Sequence, residues 1–300
     1  MNGAPSSTWF SADPHWAWLI ATYFFVGGLA GGSYFVAALI DLFGRSEDRP
    51  LAHLGYYVAF PCVVLSGLVL IIDLGRPLRF WHMLIESNTY RPMIKTWSPM
   101  SIGSWGLMLF GAFAFLSFLA ALAEDGRIPW SRLRTFRAPS APGRVIAVVG
   151  GLAGFYVAGY TGVLLAVTNR PIWSDTPLLG LLFVVSAAST STALLILLAH
   201  RSGRTTPAVA DLHRLDAWVI AVEVVVLIAV MISLGPVLRA WMNTWGVLLL
   251  IATGLGMIAP LVLLWRARRL PEMSMATAAV LVLIGGFLLR VVIVFSSASV

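Results

Sequence analysis

Eight apolar runs constrain this chain more than any other feature. Residues 16–40, 53–72, 100–123, 145–168, 177–199, 215–235, 244–265 and 275–296 are each long enough, as helices, to cross a bilayer core, which is about 30 Å thick. Inside lipid every backbone N–H and C=O must be paired within the protein, and a helix does this within a single segment. The expectation is an all-α integral membrane protein with eight transmembrane helices, arranged as two four-helix bundles over residues 1–170 and 171–300. Composition agrees, since 59% hydrophobic and 11% charged residues suit lipid better than water.

An even number of crossings puts both termini on one side, and the basic residues indicate which. Connections on the terminal side hold six Lys or Arg (Arg76, Arg79, Arg91, Lys95, Arg170 and Arg239), whereas the opposite connections hold thirteen arginines. The arginine-rich side is expected to be cytoplasmic, so both termini face out. Because 19 of the 20 basic residues are arginines, nearly all in short connections, the pattern reads as membrane orientation with lipid as the surroundings, not as nucleic-acid binding. Residues 1–15 carry no Lys or Arg, so the first run reads as a retained span and not as a cleaved leader.

Elimination narrows the chemistry. The lone Cys62 can neither close an internal disulfide nor hold an iron–sulfur cluster. His15, His53, His82, His200 and His213 all lie at or beyond the ends of apolar runs, so no haem and no metal site is expected inside the helices. A redox role would then borrow its electron carrier, and in a bilayer the candidate is an amphipathic quinone.

A few polar residues stand out against this background. Asp73 ends the second run on the outer side, His15 opens the first, Tyr160 lies in the outer part of the fourth, and His82 sits in the long 73–99 connection. A carboxylate, an imidazole and a phenol near one apolar slot suit a two-electron, two-proton reaction. Glu223 falls near the middle of the sixth run, where a carboxylate costs about 2.5 kcal/mol or more. It reads either as a neutral, hydrogen-bonded acid or as one step of a proton route, with Asp41 or Asp216 linking it to the cytoplasm. Asp41, Asp216 and Arg290 lie nearer helix ends, where they can snorkel or pair.

The first run also contains YFFVGGLAGGSYF (23–35), and the pentapeptide GGLAG recurs at 150–154. Gly27 with Gly31, Gly28 with Gly32, and the stripe Gly150, Gly154, Ala158 and Gly162 recur every fourth residue, the spacing that lets helices approach closely in lipid. The same glycines could instead leave a flat slot between the first and fourth helices, bounded by Tyr23, Tyr34, Tyr156 and Tyr160. Spacing does not choose between the two.

Three stretches, DLGRPLRFWHMLI (73–85), RPMIKTWSPMSIGSWGLMLFG (91–111) and GYTGVLLAVTNRPIW (159–173), together with GGLAGGSYF (27–35), resemble the NrfD family, the membrane subunits of polysulfide-reductase-like enzymes. The motifs cover about the first 195 residues; the last three runs agree in hydropathy only. The resemblance implies a haem-free subunit of a bacterial or archaeal cytoplasmic membrane that binds menaquinone or ubiquinone in its first bundle. It also implies an iron–sulfur partner with four 4Fe–4S clusters, which contacts a molybdenum or tungsten pterin catalytic subunit. Carried over residue by residue, the family's quinone-site aspartate falls on Asp73, its tyrosine on Tyr160 and its helix-one polar residue on His15. Tyr23, Gly28, Gly32 and Tyr156 would line the pocket, and Arg76, Arg79 and His82 would orient Asp73 or meet the partner.

Overall fold

A computed structural model describes residues 16, 18–203, 207–266 and 272–297. The chain forms α1 (Trp18–Phe43), α2 (Arg49–Asp73), α3 (Pro99–Glu124), α4 (Ala141–Ala166), α5 (Leu179–Arg201), α6 (Pro207–Leu234), α7 (Thr244–Thr253), α8 (Ala259–Arg266) and α9 (Glu272–Ser296). Helices α7 and α8 are one crossing divided by a π-helical turn, Gly254–Ile258, so eight segments are long and apolar enough to cross a membrane. Among the described residues there is no strand, only an isolated bridge between Ile85 and Pro92.

Several helices begin before the apolar runs do, because a helix leaving the hydrocarbon needs caps and not apolar side chains. Ser98 and Ser140 accept hydrogen bonds from Ser101 N and Gly143 N at the starts of α3 and α4, each with a proline in the first turn. In α6 the helix starts at Pro207, a full two turns ahead of the run, and carries Asp211 and Arg214 on exposed positions. The π turn has a packing reason that the hydropathy pattern does not carry. Gly256 lies so close to Gly285 of α9 that a Cβ there would stand 2.5 Å from the Gly285 Cα.

Helix α1 is the central element, packed against α2, α4, α5 and α9, and α5 is the second, packed against α1, α4, α6 and α9. Helix α3 touches α2 and α4, while α7 and α8 pack on α9. With crossings alternating, one end of the molecule carries Asp73, the 74–98 segment and the 167–178 connection, here called the Asp73 end. The other end carries the 125–140 connection and is called the Arg137 end.

The tail of the third quoted stretch is structural. Trp173 is fully buried and donates to the Ile293 carbonyl at 2.7 Å, Arg170 Nη2 donates to the Ser297 carbonyl at 3.0 Å, and Trp16 stacks on Trp173 at 5.1 Å. This connection therefore ties the end of α9 to the start of α1 and the end of α4.

Candidate functional site

Asp73 closes α2, and the chain then leaves the helix through Gly75, whose φ of +67° is the left-handed geometry a helix terminus of this kind needs. Pro77 opens a short 3-10 helix, Pro77–Met83. Asp73 is half-buried, and among the described residues no hydrogen bond or ion pair engages its carboxylate. Arg76 and Arg79 are exposed and form no ion pair with it, while His82 lies against the neighbouring Trp81 ring. His15 lies outside the described residues.

Tyr160 of α4 is buried and donates through its hydroxyl to the Pro99 carbonyl at the start of α3, at 2.7 Å. The Tyr23 and Tyr156 phenols lie beside it, the two α4 rings 5.7 Å apart. Two glycines of α3 make room for the α4 rings. A Cβ on Gly103 would overlap the Tyr160 phenol, and one on Gly106 would overlap the Tyr156 ring. Neither glycine stood out in the sequence, because each is isolated from the GGLAG motifs; the signal was their three-residue spacing, one helix turn apart.

Between α3 and α4 runs a groove of about 520 Å³ lined by Ile94, Trp105, Leu109, Leu152 and Tyr156 among others. Its apolar lining residues are largely exposed along the outside of the helices, so it opens towards lipid. Ile94 belongs to the 74–98 segment, which Trp105 anchors by donating from Nε1 to the Met93 carbonyl at 3.0 Å. The groove therefore joins the tyrosine group to the Asp73 end.

The glycines of α1 do something else. Gly31 meets the backbone of Gly154 on α4 directly, which leaves no slot between α1 and α4 at that level. Gly28 and Gly32 face away from Tyr156 and Tyr160: a Cβ on Gly28 would stand 3.0 Å from Arg290 Nη2, and one on Gly32 would overlap Ser191 of α5. Tyr34 is a packing residue, with its hydroxyl donating to the Ile146 carbonyl at 3.1 Å and paired with Ser117 Oγ at 2.7 Å. Of the four pocket residues named from the sequence, Tyr23 and Tyr156 thus lie with Tyr160, and Gly28 and Gly32 lie against α5 and α9.

A second polar group occupies the interior where α1, α5, α6 and α9 meet. Glu223 is 2% exposed and Arg290 1% exposed, so neither reaches an interface. Arg290 donates to the Phe24 carbonyl (3.2 Å), Ser186 Oγ (3.0 Å) and the Gly286 carbonyl (2.8 Å) and lies over the Phe25 and Phe183 rings. Ser186, Ser189 and the Arg290 guanidinium are the polar neighbours of the Glu223 carboxyl group. Asp216 is buried on the same face of α6, two turns towards the Arg137 end, and its Oδ1 has no hydrogen-bond partner among the described residues. The ring nitrogens of His213 and Nε2 of His200 are likewise buried and unpartnered, with the two rings 5.9 Å apart. Asp41 belongs elsewhere. It accepts from Arg137 Nη2 (2.7 Å) and from the Tyr56 hydroxyl (2.9 Å) at the Arg137 end of α1 and α2, away from Glu223.

Among the described residues no group of three or more His, Cys, Asp or Glu side chains could hold a metal ion. What the Asp73 end offers instead is phenol hydroxyls, a carboxylate without a partner among the described residues and a wide apolar groove, a set that fits a long hydrophobic molecule with a polar head.

Known proteins with similar sequences agree with this architecture. The family described as "Polysulphide reductase, NrfD" matches residues 10–300. A polysulfide reductase polypeptide of Wolinella succinogenes is 30% identical over 274 residues, covering 83% of this chain and 82% of the relative. Protein NrfD of Escherichia coli is 26% identical over 94% of both chains. A selenate reductase subunit from Mesobacillus selenatarsenatis is 30% identical over a shorter stretch, 34% of this chain and 21% of the relative. With eight membrane-crossing segments and a family match over nearly its whole length, this chain is a multi-pass membrane protein that belongs to the NrfD family.

Proposed function

We propose that this chain is the membrane subunit of an oxidoreductase complex and that it exchanges electrons between a membrane quinone and an iron–sulfur partner. Relatives that are named as parts of polysulfide and selenate reductases support the subunit role. The observation that carries the quinone reading is the tyrosine group at the α3/α4 groove: phenols next to an apolar channel open to lipid, at the end of the molecule where Asp73 has no partner among the described residues.

The quinone would supply the two-electron, two-proton chemistry. Its isoprenoid tail suits the groove lined by Trp105, Leu109 and Leu152. The Tyr160 hydroxyl donates its proton to Pro99 and so offers lone pairs, which accept a hydrogen bond from a quinol hydroxyl. To donate to a quinone carbonyl, Tyr160 has to turn from Pro99. Tyr23 and Tyr156 flank the head group, and Asp73, with no cation holding its charge, is the group able to take up a proton and release it to water. His15 remains the helix-one candidate for the second head-group oxygen. The carriers expected in the partners, 4Fe–4S clusters and a molybdenum or tungsten pterin, would dock on the Asp73 end. There Leu78 is 88% and Trp97 80% exposed among Arg76, Arg79, Arg91 and Lys95. Since Arg76 and Arg79 leave Asp73 unpaired, docking is the role proposed for them and for His82.

The test is quenching of tryptophan fluorescence by a quinone-analogue inhibitor, on the purified wild type, Tyr160→Phe and Asp73→Asn. Saturable quenching in the wild type that weakens in Tyr160→Phe supports the site. Saturable quenching that is equal in all three proteins removes it from Tyr160 and Asp73.

A second reading rests on a separate observation, the unpartnered buried atoms of Ser189, His200, His213 and Asp216 leading from the Arg137 end towards Glu223. Buried polar atoms of this kind are satisfied by water, and a hydrated column ending on a carboxylate can carry protons from the cytoplasm. Glu223 and Asp216 belong to this route, and Asp41 does not. Equal pH changes inside proteoliposomes containing the complex with the wild-type protein or Glu223→Gln would dispose of it.

A further inference from the structure

At the Arg137 end, away from the tyrosine group, the 125–140 connection folds over the start of α2 and the end of α3 and borders an open cavity of about 530 Å³. Arg49, Arg134 and Arg137 line it with a single carboxylate, Glu124, and with Ser140, the N-cap of α4. Glu124 is already occupied. Its Oε1 accepts from Arg49 Nη1 (2.7 Å), its Oε2 accepts from Arg137 Nε (3.2 Å), and His53 Nε2 lies 3.2 Å from that same Oε2. Arg137 is engaged as well: it holds Asp41 through Nη2 and lies over the Tyr56 ring at 4.7 Å, with its Nη1 buried away from the cavity. The lining therefore carries more guanidinium than carboxylate, together with the positive end of a long helix.

The wall is built rather than draped. A Cβ on Gly143 would overlap the Arg137 carbonyl group, so the loop is pressed onto the first turn of α4. Arg134 Nε donates to the Ala123 carbonyl at 2.9 Å, which leaves its terminal nitrogens free of protein acceptors. From its first turn onward α4 carries Val145 and Val148 as exposed apolar positions, and Leu152 beyond them lines the α3/α4 groove; Trp130 stands exposed on the 125–140 connection. An acidic head at the helix ends and acyl chains along α4 are what this layout accommodates.

We propose that this cavity binds the phosphate of an anionic phospholipid, with Arg134 as its donor and the exposed apolar positions of α4 along its chains. A phosphate diester brings negative charge to a lining with three arginines and one carboxylate, and its oxygens accept from the Arg134 guanidinium. The lipid, not a free phosphate, is the occupant because the site lies where the helices meet the membrane surface and continues into an apolar face.

Native mass spectrometry of the purified protein, titrated with dioleoylphosphatidylglycerol or dioleoylphosphatidylcholine, tests this. The variant is Arg134→Gln, since Arg134 is exposed and its loss leaves the Arg49, Arg137 and Glu124 pairs intact; the control is Arg132→Gln, exposed on the same connection but outside the cavity. Phosphatidylglycerol is expected to bind more tightly than phosphatidylcholine, and Arg134→Gln to weaken only the former, by about fivefold. Equal binding of the two lipids overturns the proposal. So does an equal loss in Arg132→Gln and Arg134→Gln, which would mean general surface attraction, or no loss in either. Competition by free glycerol phosphate at the same concentration as the lipid would identify a soluble phosphate as the ligand and would also overturn it.

Discussion

At the scale of single residues, the positions that matter most are small or charged groups whose effect depends on what lies opposite them. Gly103 is a case. Its only role is to let the Tyr160 phenol approach α3 closely enough to reach Pro99. Gly103→Ala should displace that ring, with its hydroxyl retained, and weaken binding of a quinone analogue by about tenfold, the equivalent of about 1.4 kcal/mol. A fluorescence titration beside Tyr160→Phe checks it. Arg290 gives a second prediction. Removing it leaves Glu223 with no cation beside it, only the Ser186 and Ser189 hydroxyls, and three acceptors without their donor. Arg290→Met should therefore lower stability by about 3–5 kcal/mol, and Glu223→Gln in the same protein should restore part of it. Thermal unfolding in detergent of the two single variants and the double variant measures this; strictly additive losses would mean that the two groups do not interact. Asp73 and Tyr160 were legible in the sequence as polar residues in apolar surroundings. Gly103 and Gly106 were not, because a glycine reveals its purpose only when its neighbour across the helix interface is known.

At the scale of elements, the glycine pairs of α1 divide their work by face. Gly27 and Gly31 turn towards α2 and α4, and Gly28 and Gly32 towards Arg290 and α5. Small residues in membrane helices serve close approach, which is the source of attraction where no hydrophobic drive exists between helices. Gly31→Ala should push α1 from α4 and cost about 1–3 kcal/mol by overpacking. Gly67→Ala, in α2 with open space around it, should instead gain up to about 1 kcal/mol from helix propensity. Opposite shifts in melting temperature are the expected outcome, and equal shifts would mean that the close contact of α1 and α4 has no energetic weight. The repeated GGLAG was visible in the sequence, and so were two explanations for it. Packing accounts for what the structure has at Gly31 and Gly154, where backbones touch and no slot remains.

At the scale of the whole molecule, the arginine count predicts that the Arg137 end faces the cytoplasm. In a Cys62→Ala background, Asn88→Cys should react with a membrane-impermeant thiol reagent on intact cells, and Arg132→Cys only after permeabilisation; the reverse pattern would invert the topology and turn the proposed docking end inward. The number of crossings was determined by the sequence alone, because a span depends on local apolar length measured against a fixed bilayer thickness. Family membership was readable for a similar reason, since its motifs are contiguous stretches. The tertiary structure alone decided which helix faces meet. A helix that is apolar all round carries no hydrophobic stripe to say which side turns inward, so neither the burial of Arg290 beside Glu223 nor the gathering of Tyr23, Tyr156 and Tyr160 could be read from residue spacing. Those juxtapositions follow from the rotation of each helix about its own axis, which close packing at the glycines sets only when all the helices are assembled.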